Sequence, residues 1–416
     1  MLHPLAHKSA DAPVRDPQLR LDEACGLAEA LDLDVVEGAL APLRQISPST
    51  FFGAGRCEAL AALVVESKID VIIIDAALSP VQQRNLERAI KAKVIDRPGL
   101  ILEIFARRAR TKEGRLQVEL ARLGYERSRL VRTWTHLERQ RGGLGKTGGP
   151  GETQLELDRR MIQAKIERLR VDIEDVRRTR GLQRSARKRA GLPTVVLIGY
   201  TNAGKSSLFN RLTAAGVLAK DMPFATLDPT ARMVEPTHGR PFILSDTVGF
   251  ITDLPHDLVA AFRATLEEAV EADLLIHVRD IAHPESEGQK ADVEGVLEQI
   301  FTGRAERPRV LEAWNKLDLL PDDRRTGRVE RAASGEAAAI SAATGQGIDT
   351  LLAAIEECVF GATQSITLKL DPADGKRRAQ ALALGRFAAE TLAEDGLLHL
   401  TLDVTPAAAD RLKGWV

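Results

Sequence analysis

The chain has 416 residues, of which 44% are hydrophobic and 28% charged, and its formal net charge is −1. This composition is typical of a soluble globular protein and excludes a disordered or fibrous one. No apolar run reaches the roughly 18 residues of a membrane span, and the first residues lack the apolar stretch of a secretory signal. The separated Cys25, Cys57 and Cys358 predict neither a disulfide framework nor a zinc site. We therefore expect a cytoplasmic protein.

The N-terminal part is predicted to contain a flexible segment, residues 1–18, followed by a small α/β domain, residues 19–105. Short β-branched runs such as residues 71–74 are typical of buried parallel strands, with helical stretches between them. A glycine-bearing turn, residues 51–56, precedes one of these helices. It is interpreted either as an anion site at a helix N-terminus or as a plain tight turn, and two glycines favour the plain turn.

Residues 106–190 are predicted to form a basic helical hairpin, since two seams recur with heptad spacing. Their members are Leu116, Leu120, Leu123, Leu130, Trp134 and Leu137 in the first helix, and Leu155, Ile162, Ile166, Leu169, Ile173 and Val176 in the second. Arg127 interrupts the first seam. Residues 107–190 hold 24 Lys and Arg against 11 Asp and Glu. This excess indicates a polyanionic partner or, alternatively, a solvated helical face.

The tip of the predicted hairpin, residues 142–151, has six glycines in ten residues. It is either a floppy loop or a bare backbone that approaches another surface closely, and the basic arm favours the second hypothesis. We predict a charged linker over residues 177–191, then a G domain over residues 191–361. A small α+β domain, residues 362–416, is predicted with strands at residues 365–370 and 397–404 around a helix at residues 376–395.

The G domain begins with a buried-strand pattern, residues 194–198, that leads into a GxxxxGKS motif. Such a glycine-rich loop wraps phosphates with its backbone N–H groups at a helix N-terminus. The Lys205 side chain is expected to bridge the β- and γ-phosphates and the Ser206 hydroxyl to bind Mg²⁺. The predicted phosphate-binding residues are Gly199, Tyr200, Thr201, Asn202, Ala203, Gly204, Lys205, Ser206 and Ser207.

Two further segments are predicted to meet the γ-phosphate and the metal. A proline-bearing switch stretch includes Phe224, Ala225, Thr226, Leu227 and Asp228, and a strand ends in Asp246, Thr247, Val248 and Gly249. The aspartate suits the Walker-B role, and the N–H of Gly249 is expected to reach the γ-phosphate. Spacing alone leaves Thr226 and Thr230 as alternative magnesium ligands.

The base is predicted to be guanine. Asn315, Lys316 and Asp318 follow a strand, and a carboxylate there accepts from both the ring N–H and the amino group of guanine. The segment Ser341, Ala342 and Ala343 is expected to offer a backbone N–H to the guanine O6 atom. Phe250 stands where Ras-like enzymes carry the glutamine that orients water. We therefore expect slow hydrolysis that needs an activating partner; the alternative is a protein that binds GTP without efficient hydrolysis.

Together with GPGETQLE at residues 149–156 and Asp158, Arg159 and Arg160, these motifs resemble the HflX family of bacterial GTPases over residues 33–361. The resemblance implies that Thr226 is the switch threonine, and that Lys205, Thr226 and Gly249 serve catalysis. It also implies binding to the large ribosomal subunit, whose RNA the arm contacts, and GTP-dependent splitting of stalled or idle ribosomes, particularly under heat stress. Hydrolysis stimulated by the large subunit then allows release.

This chain departs from the family at two places. Its tip is longer than the arginine-bearing form of many members, and Arg56 stands where lysine is usual. The contacts of that arginine, and the ATP binding ascribed to some members, are therefore not carried over. Two other functions remain alternatives: a GTP-gated factor that binds ribosomes or RNA without splitting, and a signalling GTPase with a protein partner. We expect a monomer.

Overall fold

The structure is a computed structural model of the chain. It describes residues 1–6, 15–138, 150–189, 192–213, 223–227, 230–237, 240–252, 268–303, 307–335, 337–361, 364–393, 396–404 and 406–415. The described strands form three sheets of four, six and three strands. None of the described helices is long and apolar enough to cross a membrane.

The first sheet is parallel, with the order β2-β1-β3-β4. Its strands are β1 (Leu2–Ala6), β2 (Ala39–Leu43), β3 (Val71–Ile74) and β4 (Lys93–Asp96). Its helices are α1 (Pro17–Glu29), α2 (Ala54–Glu66), α3 (Pro80–Ile90) and α4 (Arg97–Arg108). The turn at residues 51–56 leads into α2, whose N-cap is Gly53.

The prediction that residues 1–18 form one flexible segment was wrong for β1. This strand pairs with β2 through all five of its residues and also contacts β3, so it lies inside the sheet. A five-residue strand that contains Pro4 has little local signal, and its pairing with distant segments determines its structure. Helix α1 then begins at Pro17, capped by the Asp16 side chain. Residues 7–14 lie outside the described part.

Two long helices follow, α5 (Lys112–Glu138) and α6 (Pro150–Arg189). They bury Leu123, Ile166 and Leu169 against one another. The Arg127 guanidinium, which interrupts the predicted seam, donates to Gln163 Oε1 over 2.7 Å. The heptad packing beyond these residues stays a prediction, and tip residues 142–149 lie outside the described part.

The predicted linker at residues 177–191 was wrong, since α6 continues to Arg189. Arg, Lys, Gln and Ala dominate this stretch, and all are good helix formers, so charge alone does not end the helix. At its base the arm joins the first sheet through Asp96. The Asp96 carboxylate accepts from the Tyr125 hydroxyl over 2.6 Å and from the Arg129 guanidinium over 2.7 Å.

The six-stranded sheet has the order β10-β9-β8-β5-β7-β6, and β6 alone pairs in an antiparallel manner. Its strands are β5 (Thr194–Ile198), β6 (Thr230–Val234), β7 (Phe242–Asp246), β8 (Leu274–Asp280), β9 (Arg309–Asn315) and β10 (Ala338–Ala339). Its named helices are α7 (Lys205–Thr213), α8 (Ser286–Phe301), α9 (Asp322–Ala333) and α10 (Ile348–Phe360). The carboxyl ends of β5, β7 and β9 meet at one edge, where ligands bind in such sheets.

The third sheet is antiparallel with the order β11-β13-β12. Its strands are β11 (Gln364–Leu370), β12 (Gly385–Leu392) and β13 (Leu398–Val404), with helices α11 (Gly375–Leu384) and α12 (Pro406–Leu412). The predicted helix over residues 376–395 was therefore wrong in its second half. The helix ends at Leu384, and the following residues pair with β13, because tertiary pairing overrides the local helical propensity of Ala, Glu and Leu.

Candidate functional site

The phosphate loop joins β5 to α7 and requires glycine at two positions. Gly199 has φ +148° and Gly204 has φ +92°, values that favour glycine. An added Cβ would collide with the carbonyl oxygen of Val278 at the first position and with the Asn315 amide at the second. A side chain at Gly249 would lie 2.8 Å from Thr201 Cα and 3.0 Å from Lys205 Nζ. Glycine thus keeps open the space beside the lysine.

The Lys205 ammonium is buried at the start of α7, with 6% of the residue exposed. It donates to the carbonyl oxygens of Gly199 over 3.1 Å and Tyr200 over 2.8 Å. Burial lowers the pKa of Lys205 to about 8, and the neighbouring Asp246 carboxylate opposes that shift. A phosphate beside Nζ would favour the charged form, so this desolvated ammonium is suited to an anion.

Three oxygen-bearing side chains meet next to the lysine. Ser206 Oγ lies 2.7 Å from Thr226 Oγ1, and both hydroxyls donate to Asp246 Oδ2, over 2.7 and 2.8 Å. Asp246 Oδ1 is buried without a hydrogen-bond partner in the described structure. Burial raises the pKa of Asp246, with Lys205 acting in the opposite direction.

Hydroxyl and carboxylate oxygens with an unpartnered buried acceptor are a donor set that fits Mg²⁺. Of the two threonines that spacing left open, Thr226 contributes its hydroxyl to this group. Thr230 begins β6, where its backbone is in register with Asp246. Elsewhere in the described residues, no cluster of three or more His, Cys, Asp or Glu side chains is placed to hold a metal.

One phenylalanine from each of the two segments next to the predicted γ-phosphate site, Phe224 and Phe250, packs into the same apolar cluster. The Phe224 ring packs edge-on against Phe105 of α4, with centroids 4.7 Å apart. Phe250, 6% exposed, belongs to the same cluster. Its backbone N–H donates to the Gly199 carbonyl over 3.0 Å, and its carbonyl accepts from the Thr201 N–H over 2.7 Å. The ring is therefore held away from solvent, and it has no group that hydrogen-bonds water.

Sequence reasoning missed a network that joins this site to the first sheet. The Tyr200 hydroxyl donates to Glu23 Oε2 over 2.9 Å and lies 2.7 Å from Thr252 Oγ1. The Arg97 guanidinium donates to the Thr252 carbonyl over 2.9 Å. Burial raises the pKa of Tyr200, which keeps its hydroxyl protonated. No local pattern indicates these contacts, since each of them joins distant parts of the chain.

The predicted base-binding residues lie together at the ends of β9 and β10. Asn315 Nδ2 donates to the Ala203 carbonyl over 2.8 Å, and Asn315 Oδ1 accepts from the Ala342 N–H over 2.9 Å. Asp318 Oδ1 accepts from the Ser341 hydroxyl over 2.5 Å. Asn315 thus ties the phosphate loop to the loop beyond β10, and the Ser341 hydroxyl holds the Asp318 carboxylate.

Lys316 is held by a residue that sequence reasoning missed. Its ammonium lies 2.8 Å from Asp280 Oδ2, at the end of β8. Of the remaining predicted residues, Thr247 donates its hydroxyl to the Leu197 carbonyl over 2.5 Å, Leu227 is buried, and Ser207 lies on α7. Asp228 lies outside the described residues.

Three family models match successive parts of the chain. They are the GTP-binding GTPase N-terminal region over residues 18–106, the GTP-binding GTPase middle region over residues 108–187, and a 50S ribosome-binding GTPase over residues 194–316. GTPase HflX of Magnetococcus marinus is 49% identical over 400 residues, which cover 96% of this chain and 91% of that protein. The chain belongs to the HflX family of GTPases. This confirms the family, the α/β fold class and the GTPase activity predicted from sequence.

Other HflX relatives and GTP-binding structures are also similar. The HflX of Escherichia coli K12 is 47% identical over 355 residues, covering 85% of this chain and 82% of that protein. A solved GTP-binding protein from Sulfolobus solfataricus in complex with GDP is 25% identical, with a TM-score of 0.44, and the match covers 81% of this chain and 94% of that one.

Proposed function

We propose that this HflX GTPase binds the large ribosomal subunit and, in its GTP-bound state, splits stalled or idle ribosomes into subunits. Hydrolysis stimulated by the ribosome then allows release. The observation that carries the proposal is the connection of a long basic arm to the nucleotide site. Asp96 contacts the arm, and the adjacent Arg97 contacts Thr252, three residues after Gly249.

In this proposal the residues at the strand ends divide the work of nucleotide binding. Lys205 neutralises the β- and γ-phosphates, and the loop at residues 199–206 encloses them with backbone N–H groups. Ser206 and Thr226 would hold Mg²⁺ through their hydroxyls, and the adjacent Asp246 carboxylate would help to orient them. When bound, Mg²⁺ neutralises charge on the phosphate oxygens. Asp318, Asn315, Lys316 and the loop at residues 341–343 bind guanine.

The presence of the γ-phosphate is proposed to change the orientation of the arm through a series of packed contacts. This phosphate attracts Thr226 and the N–H of Gly249, which fixes residues 249–252. Arg97 and Tyr200 then hold Thr252 against the first sheet. Asp96 links that sheet to α5, so a shift of residues 249–252 would change the orientation of the arm. Both sides of this connection are buried or half-buried, which favours rigid transmission.

Hydrolysis is proposed to be slow without the ribosome. Phe250 cannot orient the attacking water, and its ring is packed into an apolar cluster. Lys205, Thr226 and Gly249 supply positioning and charge, which suffice for residual catalysis. We place the protein in the cytoplasm as a monomer, with GTP as substrate, GDP as product and ribosomal RNA as the polyanion that the arm contacts.

Removing residues 142–151 is expected to lower co-sedimentation with large ribosomal subunits at least tenfold in the presence of a slowly hydrolysed GTP analogue. The basic arm contacts RNA phosphates in this account, so binding should also weaken steeply as salt rises. The same deletion should leave GDP affinity unchanged, because the tip lies far along the chain from the phosphate loop.

The double charge reversal Arg159→Glu with Arg160→Glu should have the same effect, since both side chains are exposed on α6. The matched control is Arg88→Glu with Lys91→Glu. Arg88 lies on α3, Lys91 directly follows that helix, and both are exposed, so this variant tests whether net charge alone accounts for the loss of binding. Undiminished binding of the deletion variant would show that the tip is not the ribosome contact. Binding that ignores the nucleotide would contradict GTP gating.

A further inference from the structure

Arg211, on the last turn of α7, contacts the loop beyond β10 rather than the phosphates. Its Nε atom donates to the carbonyl oxygen of Ala342 over 3.1 Å, and a terminal nitrogen donates to the carbonyl oxygen of Ala343. One guanidinium thus binds two successive peptide groups of the segment assigned to guanine O6. None of the sequence motifs includes this residue.

The rest of the loop is anchored at its ends. The Ser341 N–H donates to the Gln346 carbonyl over 2.9 Å, and the Gly345 N–H donates to the Ser341 carbonyl over 2.8 Å. The N–H of Ala342 is already used by Asn315. Among the described residues, the N–H of Ala343 donates to no protein acceptor, so it is available to the base. Arg211 holds the carbonyls on either side of this N–H.

We propose that Arg211 is a positioning residue for guanine recognition. The Ala342 carbonyl and the Ala343 N–H belong to one peptide group, so by fixing this carbonyl and the next one Arg211 sets the direction of the N–H, which donates to guanine O6. Helix α7 begins at the phosphates, with Lys205 and Ser206, and carries Arg211 six residues after Lys205. The same rigid element therefore fixes the distance between the phosphate site and the base site. A guanidinium suits this task because its donors form a planar fork.

Replacing Arg211 with alanine is expected to weaken GDP binding about tenfold, chiefly through faster dissociation, because two charge-assisted hydrogen bonds to the loop are lost. The turnover number at saturating GTP should stay within about twofold, since the phosphate site is intact. Arg211→Lys, which keeps the charge but not the fork, should recover part of the affinity. Arg88→Ala is the matched control, because Arg88 is an exposed arginine on α3, beside the first sheet.

A second ligand separates positioning from general destabilisation. In 6-thio-GDP a sulfur, a poor acceptor, replaces O6, while the ring N–H and the amino group that face Asp318 remain. If Arg211 acts through the loop N–H, Arg211→Ala should weaken 6-thio-GDP binding much less than GDP binding, and the preference for GDP should shrink. Equal losses for both ligands, or unchanged GDP affinity, would overturn the proposal. Arg211→Gln, which keeps a single uncharged NH₂ group in place of the guanidinium fork, provides the same comparison if the alanine variant does not fold.

Discussion

Replacing Asp318 with asparagine is expected to lower the affinity for GTP about 10³-fold and to raise the affinity for xanthosine triphosphate. The carboxylate accepts from the ring N–H and the amino group of guanine. An asparagine amide has one acceptor and one donor, so it opposes the guanine amino group but matches the oxygen that xanthine has at that position. The Ser341 hydroxyl, which donates to Asp318 Oδ1, has an oxygen acceptor in either variant.

Competition binding against a fluorescent guanine nucleotide measures this change. Asp323→Asn is the matched control, because Asp323 is exposed on α9 only five residues away. It should leave base preference unchanged. If Asp318→Asn kept full selectivity for GTP over the xanthine nucleotide, the assignment of Asp318 to the base would be wrong.

Thr226→Val is expected to slow GTP hydrolysis about 10²-fold while leaving GDP affinity nearly unchanged. Valine preserves the shape of the side chain but removes the hydroxyl that lies 2.7 Å from Ser206 Oγ and donates to Asp246. In the proposed mechanism the γ-phosphate attracts Thr226, so this hydroxyl contributes chiefly to the GTP-bound state. GDP lacks that phosphate, and its affinity should therefore depend little on the hydroxyl.

Single-turnover hydrolysis and GDP dissociation, measured on the same preparation, separate the two effects. Thr230→Val tests the alternative that spacing left open, since Thr230 lies four residues on, at the start of β6. A larger loss of hydrolysis in Thr230→Val than in Thr226→Val would contradict the placement of the magnesium ligands. If Thr226→Val weakened GDP binding by the same factor as it slowed GTP hydrolysis, the substitution would have damaged the whole site.

The sequence predicted those parts of the site that are encoded in short contiguous motifs. Gly199 and Lys205 lie in the loop and helix start that follow β5, Asp246 ends β7, and Asp318 follows β9. Each of these strands has a recognisable apolar pattern, and such parallel strands end at one edge of the sheet. Local chemistry and local structure therefore agree at these residues.

Features that depend on distant contacts were not predictable in this way. Strand β1 has five residues and a proline, and it is stable only between β2 and β3. Strand β12 consists of residues with mixed propensities, and its pairing with β13 decides its conformation. The contacts of Tyr200 with Glu23 and of Arg211 with Ala342 join residues 177 and 131 positions apart. No pattern in a single sequence marks such pairs.

The end of the arm illustrates a different limit. A run of arginines between residues 177 and 189 was interpreted as a linker because of its charge, yet helix α6 includes all of it. Arginine is a good helix former, so a run of arginines does not by itself end a helix. Charge patterning therefore gave the wrong secondary structure for this stretch, and the polyanionic partner that it indicates stays a prediction.

The most direct test of the central claim is subunit profiling of purified idle ribosomes mixed with this protein and a slowly hydrolysed GTP analogue. We expect the ribosomes to separate into subunits with the analogue and to stay intact with GDP. Intact ribosomes that carry the protein in the analogue-bound state would contradict splitting and favour a GTP-gated binding factor. No association with ribosomes in either nucleotide state would contradict the account as a whole.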